Sequence, residues 1–495
     1  MSTGQAPRSG FSRSRKIRES LGHPVIDADG HTIDLLPVLV DILRDVGGPK
    51  MVERFRAQPI YRMVVHHDML ASTLAERRYD GRVYDAWWAG TGRTLDRATA
   101  MLPGLLKGRM DEIGIDFSIL FPSETGVIHA VQDDELRQAG CRAHNLMSAE
   151  LFGPHSQHMT PTALIPMRTP AEAIAELEFA VGELGLKAVN LGGSPPRRIR
   201  KLMDELPEAA PYATRPEVFG IDSEYDYDPV WAKCEELGVA PCFHGRQRRH
   251  STSSYVFNHV GAFAQSNDAI CKALLLGGVT RRFPKVNFGF LEGGAAWASS
   301  LFSDLISHWE KRGAGAIEKL DPAGIDVDEM LALIKSHGEP RQRERIAEVE
   351  TYLRITPPRP EYLDEFAACE IRRKEDFHDL FVPRFFFGCE ADAPLDSCAF
   401  NPKVNPFGAK LSAMLGSDIG HWDVPDIREV LEEAYEMVEH ELMSLDDFRA
   451  FTFENAVRLH GGMNPAFFDG TSIEPQARAV LANAAQSAPQ SEKVS

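Results

Sequence analysis

A (β/α)8 TIM barrel is the fold the sequence predicts, and three observations predict it. Eight short β-rich apolar runs recur along the chain, most of them followed by a helical pattern. Several are near-continuous apolar runs, as expected of strands buried on both faces of a parallel sheet. Carboxylates and imidazoles collect at the C-terminal ends of these runs, where such barrels place their chemistry. An open doubly wound sheet is the runner-up. It would need a Gly-rich phosphate turn after the first strand, and "DADGHTID" is not one.

The runs come in order. They are "PVIDADGH" (24–31), "GIDFSILFP" (114–122), "TALIPM" (162–167) and "LKAVNLGG" (186–193), then "VAPCFHG" (239–245), "VNFGFLEGG" (286–294), "RFFFGCEAD" (384–392) and "LSAMLGSDIGH" (411–421). Between the third and fourth, "TPAEAIAELEFAVGELG" (169–185) reads as a helix with Thr169 as N-cap, Pro170 in the first turn, Glu172 at the third helical position and a stop at Gly185. "DPVWAKCEELG" (228–238) and "VPDIREVLEEAYEMVEHEL" (424–442) repeat that pattern.

Two connections exceed normal βα length. Residues 38–110, after the first strand, and 310–380, after the sixth, read as helical insertions: one a cap or substrate lid, the other a peripheral or dimer-forming element. The expected organisation is a flexible N-terminal arm (1–22), one barrel unit (23–470) and a disordered tail (471–495), the ends being rich in small and polar residues.

Composition narrows the function classes. A net charge of -18 argues against nucleic acid or an anionic membrane as partner. No stretch of ~18 apolar residues suggests a membrane span, and the N-terminus has no apolar core of a secretory signal. The seven cysteines have no C-x-x-C spacing, which reads as reduced thiols in a cytoplasmic protein. Cys242 and Cys389 sit in apolar runs and read as buried structural thiols.

The chemistry lies at the strand ends. Strand one carries Asp27, Asp29 and His31, whose alternation would aim all three one way. Strand five ends in His244, strand six in Glu292, strand seven in Cys389, Glu390 and Asp392, and strand eight in Asp418 and His421. Imidazole nitrogen with carboxylate oxygen suits Zn²⁺, Mn²⁺ or Fe²⁺. A lone strand-end histidine is more often structural, but His31 and His244 sit in matching slots. His66, His67, His155, His158, His250, His308 and His440 do not, and read as surface or loop residues. Asp27 fits a backbone hydrogen-bonding role, and Glu292 a salt-bridge anchor, as well as they fit a ligand.

These motifs, spread over residues 24–465, resemble the amidohydrolase superfamily, amidohydrolase-2 type. Within it they resemble the branch of aminocarboxymuconate-semialdehyde decarboxylase and the aromatic-acid decarboxylases. "VIDADGHTID" resembles the branch's first-strand motif, which puts metal ligands at Asp29 and His31. "PCFHG" resembles the strand-five ligand segment, giving His244, and "GSDIGHWD" resembles the ending "SDYPH-x-D", giving Asp418. "RMDEIGIDFSILFP", "RFPKVNFGFLEGGAAW" and "FENAVRLHG" resemble the second-strand approach, the strand-six segment and the closing helix. The chain departs from the pattern in carrying Glu292 where many members have histidine, "SDIGH" for "SDYPH", and the two insertions.

The resemblance implies an enzyme holding one divalent ion, Zn²⁺ first and Mn²⁺ or Fe²⁺ next, on Asp29, His31, His244 and Asp418. Asp27 or Glu292 would orient an imidazole or a bound water. Asp418, His421 and Glu292 are the catalytic candidates. Arg246, Arg168, Trp422 and Asp392 are the substrate-binding candidates, an arginine clamping a carboxylate in bidentate fashion. Trp87, Trp88 and Trp297 are further aromatic candidates, with core packing the simpler role for Trp297. The reaction implied is non-oxidative decarboxylation of a small aromatic or unsaturated acid, Asp418 delivering a proton to the ring carbon. The alternative is hydrolysis of an amide, ester or C–C bond by an activated water. A third reading is a non-catalytic scaffold barrel. The implied assembly is a homodimer or homotetramer.

Overall fold

The computed structural model describes residues 12–58, 61, 72–79, 90–209, 213–246, 252–358, 360 and 363–487. Its ten strands are β1 (Ile26–Thr32), β2 (Phe117–Pro122), β3 (Met159–Leu164), β4 (Ala188–Asn190), β5 (Pro196–Arg198), β6 (Thr214–Pro216), β7 (Pro241–Phe243), β8 (Phe288–Phe290), β9 (Phe385–Cys389) and β10 (Ser412–Leu415). Eight of them form one sheet in the order β1-β2-β3-β4-β7-β8-β9-β10, every adjacent pair parallel. With helices packed around it, this is the expected barrel. β5 and β6 form a separate antiparallel hairpin that the sequence reading did not anticipate.

The alternation of the strands shows why apolar runs can be continuous. In β9, Phe385 and Phe387 join a core shared with the helices, with Trp231, Phe302 and Phe381. Phe386 between them joins an inner cluster with Ile26, Phe117, Ile119, Cys242 and Met414. Both faces of each strand are therefore buried.

The barrel closes between β10 and β1 through specific contacts. Buried Asp27 accepts hydrogen bonds from the Ser417 amide at 2.9 Å and the Ser417 hydroxyl at 2.8 Å. The Asp418 amide donates to the Asp29 carbonyl at 3.1 Å. Gly416 permits this approach, since a Cβ there would lie 2.8 Å from that of Asp29.

The third strand starts three residues earlier than the sequence suggests. Pro161 pairs with Leu120 inside β3. The Leu120 carbonyl accepts from the Thr162 hydroxyl at 3.1 Å, which offsets the missing proline N–H. The helix expected from 424 begins only at Val430. Before it, Asp426 accepts from the Arg428 amide at 3.1 Å and from its guanidinium, and also pairs with Arg93, which fixes a turn instead. Thr169 does form a capping box with Glu172.

Helices stand within both terminal stretches. Arg13–Ser20, within the stretch expected to be a flexible arm, is a helix. Ser14 is buried, donating to the Arg428 carbonyl at 2.6 Å and accepting from the Glu432 amide at 3.1 Å. Glu474–Ser487, within the expected tail, is a helix that buries Ala477 and Val480. The long connections carry helices Leu36–Arg56, Leu74–Tyr79, Thr94–Met101 and Pro103–Ile113 after β1, and Val327–His337, Pro340–Glu344 and Ile346–Leu353 between β8 and β9. Among the described residues no helix is long and apolar enough to cross a membrane. All seven cysteines are free, Cys242 and Cys389 fully buried as expected.

Candidate metal centre

Four strand ends build the centre. β1 brings Asp29 and His31. The β1–β2 register is irregular between Asp27 and Gly30, which breaks the simple alternation. Asp27 is held at the barrel seam by Ser417 and does not join the cluster. His244 follows β7. Its amide donates to the Gly192 carbonyl at 3.1 Å, and its ring lies against Phe121 and Phe263. Glu292 follows β8 and Asp418 follows β10, both with backbones in the left-handed region, φ 54° and 47°. Non-glycine residues adopt that conformation at a cost of about 1–2 kcal/mol, so the surroundings must hold them there.

The side chains converge. His31 Nε2 lies 3.0 Å from Asp418 Oδ1, 3.8 Å from Glu292 Oε2 and 3.9 Å from Asp29 Oδ1. His244 Nε2 lies 3.1 Å from Glu292 Oε2 and 3.3 Å from Asp29 Oδ1. His421 Nδ1 lies 2.6 Å from Asp418 Oδ1. Asp29, Glu292 and Asp418 are 3%, 6% and 4% exposed, so water cannot supply their missing partners. Yet Asp29 Oδ1, His31 Nε2, His244 Nε2, Glu292 Oε2 and both Asp418 oxygens make no hydrogen bond.

That pattern fits a divalent cation. Ligands bonded at about 2.1 Å to one ion stand about 3–4 Å from one another. The donor atoms of Asp29, His31 and His244 lie within 4.8 Å of one another, and so do those of His31, Glu292, Asp418 and His421. Oxygen and imidazole donors without thiolate suit Zn²⁺, Mn²⁺ or Fe²⁺.

Electrostatics point the same way. Burial disfavours a charged His244, but Asp29 and Glu292 outweigh it and raise its pKa to about 10. His421 is likewise raised to about 9, burial being overcome by Asp418. Asp418 is held well below the usual carboxylate range despite burial, by His421 and His31. Glu390 rises to about 9 and Asp423 to about 8, through burial and then repulsion by Asp418. The pocket carries more carboxylate than its imidazoles neutralise, and draws in positive charge.

Of the sequence-expected residues, Asp29, His31, His244, Glu292, Asp418 and His421 come together. Trp422 stands beside them, 40% exposed, edge-on to His259 and Tyr255. Arg246 is exposed at the rim, 5.7 Å from the Phe263 ring. Asp392 is exposed, and its neighbour Glu390 is the group that feels Asp418 and Glu292. Arg168 is not drawn in. It donates to Gln132 at 2.8 Å from the turn between β3 and the helix Pro170–Leu177. Trp297 packs on Phe290 and Phe387 as a core residue. Trp87, Trp88, His66, His67 and His250 lie outside the described residues.

Sequence reasoning missed four neighbours. His259 Nε2 lies 3.8 Å from Glu292 Oε1 and 4.0 Å from Asp423 Oδ2. Glu390 was noted only as a strand-end acid. Ser123 Oγ lies 2.9 Å from His421 Nε2. The spacing of "HWD" offers a signal for Asp423, whereas nothing in the sequence distinguishes His259 or Ser123. The first long connection also reaches the centre: Gly90 bridges His421, and the Thr91 amide donates to the Gly420 carbonyl at 3.0 Å.

Residues 26–335 match the family model described as Amidohydrolase, and the chain belongs to that family. No curated protein matches it. Among solved structures it is similar to an amidohydrolase from Mycobacterium avium subsp. paratuberculosis K-10, with 16% identity over 89% of this chain and 100% of that one, and a TM-score of 0.47. It is similar to a dihydroxybenzoic acid decarboxylase from Polaromonas sp. JS666 with bound manganese and the inhibitor 2-nitroresorcinol, with 15% identity, 88% and 97% coverage and a TM-score of 0.47. It is also similar to a 2,6-dihydroxybenzoate decarboxylase complexed with 2,6-dihydroxybenzoate, with 16% identity, 72% and 86% coverage and a TM-score of 0.44.

Proposed function

We propose that the protein is a metal-dependent, non-oxidative decarboxylase of a small aromatic or unsaturated carboxylic acid. The observation that carries this reading is the Asp418–His421 pair. Its Nδ1 and Oδ1 stand 2.6 Å apart, close enough to share a proton, beside a cluster of buried donors that lack partners. Membership of the amidohydrolase family and the sequence resemblance to its decarboxylase branch support it.

Asp29, His31, His244 and Asp418 would hold the ion, with Glu292 as a fifth donor in reach. Zn²⁺ is the first choice and Mn²⁺ or Fe²⁺ the next. When bound, the ion supplies Lewis-acid stabilisation of negative charge on substrate oxygens. The chain's own residues do the rest. Arg246 at the rim meets an incoming carboxylate. Trp422, Tyr255 and His259 offer aromatic surface to a flat substrate at the mouth. The proton held between His421 and Asp418 passes to the substrate carbon that bears the carboxylate. The carbon–carbon bond then breaks, its electron pair restores the ring or double bond that the proton interrupted, and carbon dioxide leaves. The buried walls of the site exclude the water that would otherwise compete. A homodimer or homotetramer in the cytoplasm is the setting we assign to it.

The test is product detection. Metal-loaded protein incubated with a panel of hydroxybenzoates is expected to release carbon dioxide and the decarboxylated phenol in equal amounts. Cleavage of amide or ester substrates to acid and leaving group, with no carbon dioxide from any acid, would overturn the reading in favour of a hydrolase.

A further inference from the structure

Ser123 stands one residue beyond β2, and two contacts fix where it points. Its amide donates to the Thr32 carbonyl at 2.9 Å, which ties it to the end of β1 next to His31. Its hydroxyl lies 2.9 Å from His421 Nε2. The opposite nitrogen, His421 Nδ1, lies 2.6 Å from Asp418 Oδ1. The His421 ring also packs on that of His31, centroids 4.0 Å apart. The backbone beneath is held by the Gly90 bridge and the Thr91–Gly420 hydrogen bond.

The ring is held at both nitrogens: Nδ1 faces the Asp418 carboxylate and Nε2 faces the Ser123 hydroxyl, which can donate or accept and so fits the ring in either protonation state. Without that hydroxyl the ring can turn over about its Cβ–Cγ bond, which separates Nδ1 from Asp418. Backbone contacts hold the loop but not the ring.

We infer that Ser123 is a positioning residue: through its Oγ–Nε2 contact it fixes the ring orientation of His421, and so keeps Nδ1 facing Asp418. The inference rests on the proposed proton-transfer role of His421 for its kinetic consequence, but not for its structural one. The hydroxyl of Ser123 is turned to His421 Nε2, so it orients the proton carrier without holding the ion.

The test compares wild type, Ser123→Ala and Ser123→Thr as zinc-reconstituted full-length protein. All three are labelled with 15N-histidine, and the His421 signals are identified by their loss in His421→Gln. Wild type and Ser123→Thr are expected to show a single His421 ring state with Nε2 hydrogen-bonded. In Ser123→Ala the Nε2 signal is expected to shift to that of an unbonded or exchanging nitrogen, with zinc content unchanged. On an acid that wild type decarboxylates, kcat is expected to fall about 10–100-fold in Ser123→Ala with KM unchanged, and to be restored in Ser123→Thr. Identical His421 signals in wild type and Ser123→Ala would overturn the inference, as would loss of zinc from Ser123→Ala. If no acid is decarboxylated by wild type, the reaction assigned above fails, and the nitrogen signals alone decide the role of Ser123.

Discussion

Glu217 and Glu292 are both buried carboxylates, 3% and 6% exposed, yet their surroundings are opposite. Glu217 lies under the β5–β6 hairpin with every oxygen answered. Its Oε1 accepts from Arg197 and from the Ser223 hydroxyl, both at 2.8 Å. Its Oε2 accepts from Arg215 at 3.2 Å and from the Glu224 amide at 3.5 Å. Arg197 completes its fork on Tyr227 and the Arg168 carbonyl. Glu292 has no arginine or lysine beside it among the described residues, an oxygen without a hydrogen bond, and a left-handed backbone. The first cluster cancels its own charge and serves the fold. The second leaves charge uncancelled, and only a cation from outside completes it.

The sharpest break of this contrast is metal analysis of His244→Ala beside Arg197→Met. Wild type is expected to carry about one divalent ion per chain, His244→Ala almost none, and Arg197→Met the wild-type amount, by inductively coupled plasma mass spectrometry. Activity should fall about a thousandfold or more in His244→Ala only. Equal metal content in wild type and His244→Ala would remove the centre.

Next in size, Asp418→Asn is expected to lower kcat by about 10²–10⁴-fold while leaving the thermal midpoint near that of wild type. The amide cannot hold the His421 proton but keeps the shape. Near-normal turnover would take Asp418 out of the chemistry.

The mirror-image effect belongs to the other cluster. Arg197→Met leaves Glu217 buried beside too few donors and should cost about 3–5 kcal/mol in urea unfolding. A loss as small as that of an exposed arginine would mean that the hairpin is not anchored by this pair.

The smallest effect separates two buried imidazoles. His460, stacked on Phe467 with no carboxylate beside it, has its pKa lowered by burial to about 3, whereas His244 is raised. Unfolded histidine takes its proton near pH 6.5. The stability from neutral His460 is therefore whole above that pH and is lost as pH falls from 6.5 through about 3. His460→Phe should flatten that decline, by about 3 kcal/mol at pH 4. An unchanged acid limb would show that His460 does not contribute.

The sequence made the barrel legible because each apolar run buries both faces of a strand, a pattern that survives without knowledge of neighbours. It misplaced the start of β3, because Met159, Thr160 and Pro161 join the strand by pairing with Ser118, Ile119 and Leu120 of β2, which only folding brings alongside. It overstated the helix at 424, because the pull of Arg93 and Arg428 on Asp426 comes from residues brought near only by folding. In the centre, Asp29, His31, His244, Glu292, Asp418 and His421 were legible because each closes a strand. Ser123 and His259 were not: one reads as an ordinary loop serine, and the other sits on the five-residue helix Tyr255–His259 that has no strand to announce it. The Asp27 alternation failed at a register irregularity that no single sequence displays.

The left-handed backbones at Glu292 and Asp418 set the sequence's own demands against each other. Glycine or asparagine would sit more comfortably at both positions, by about 1 kcal/mol each, and would also remove a buried negative charge. A population of variants screened only for surviving heat should therefore lose these two carboxylates early, and gain robustness as it does so. The two carboxylates serve what the pocket does, against what the fold alone would prefer.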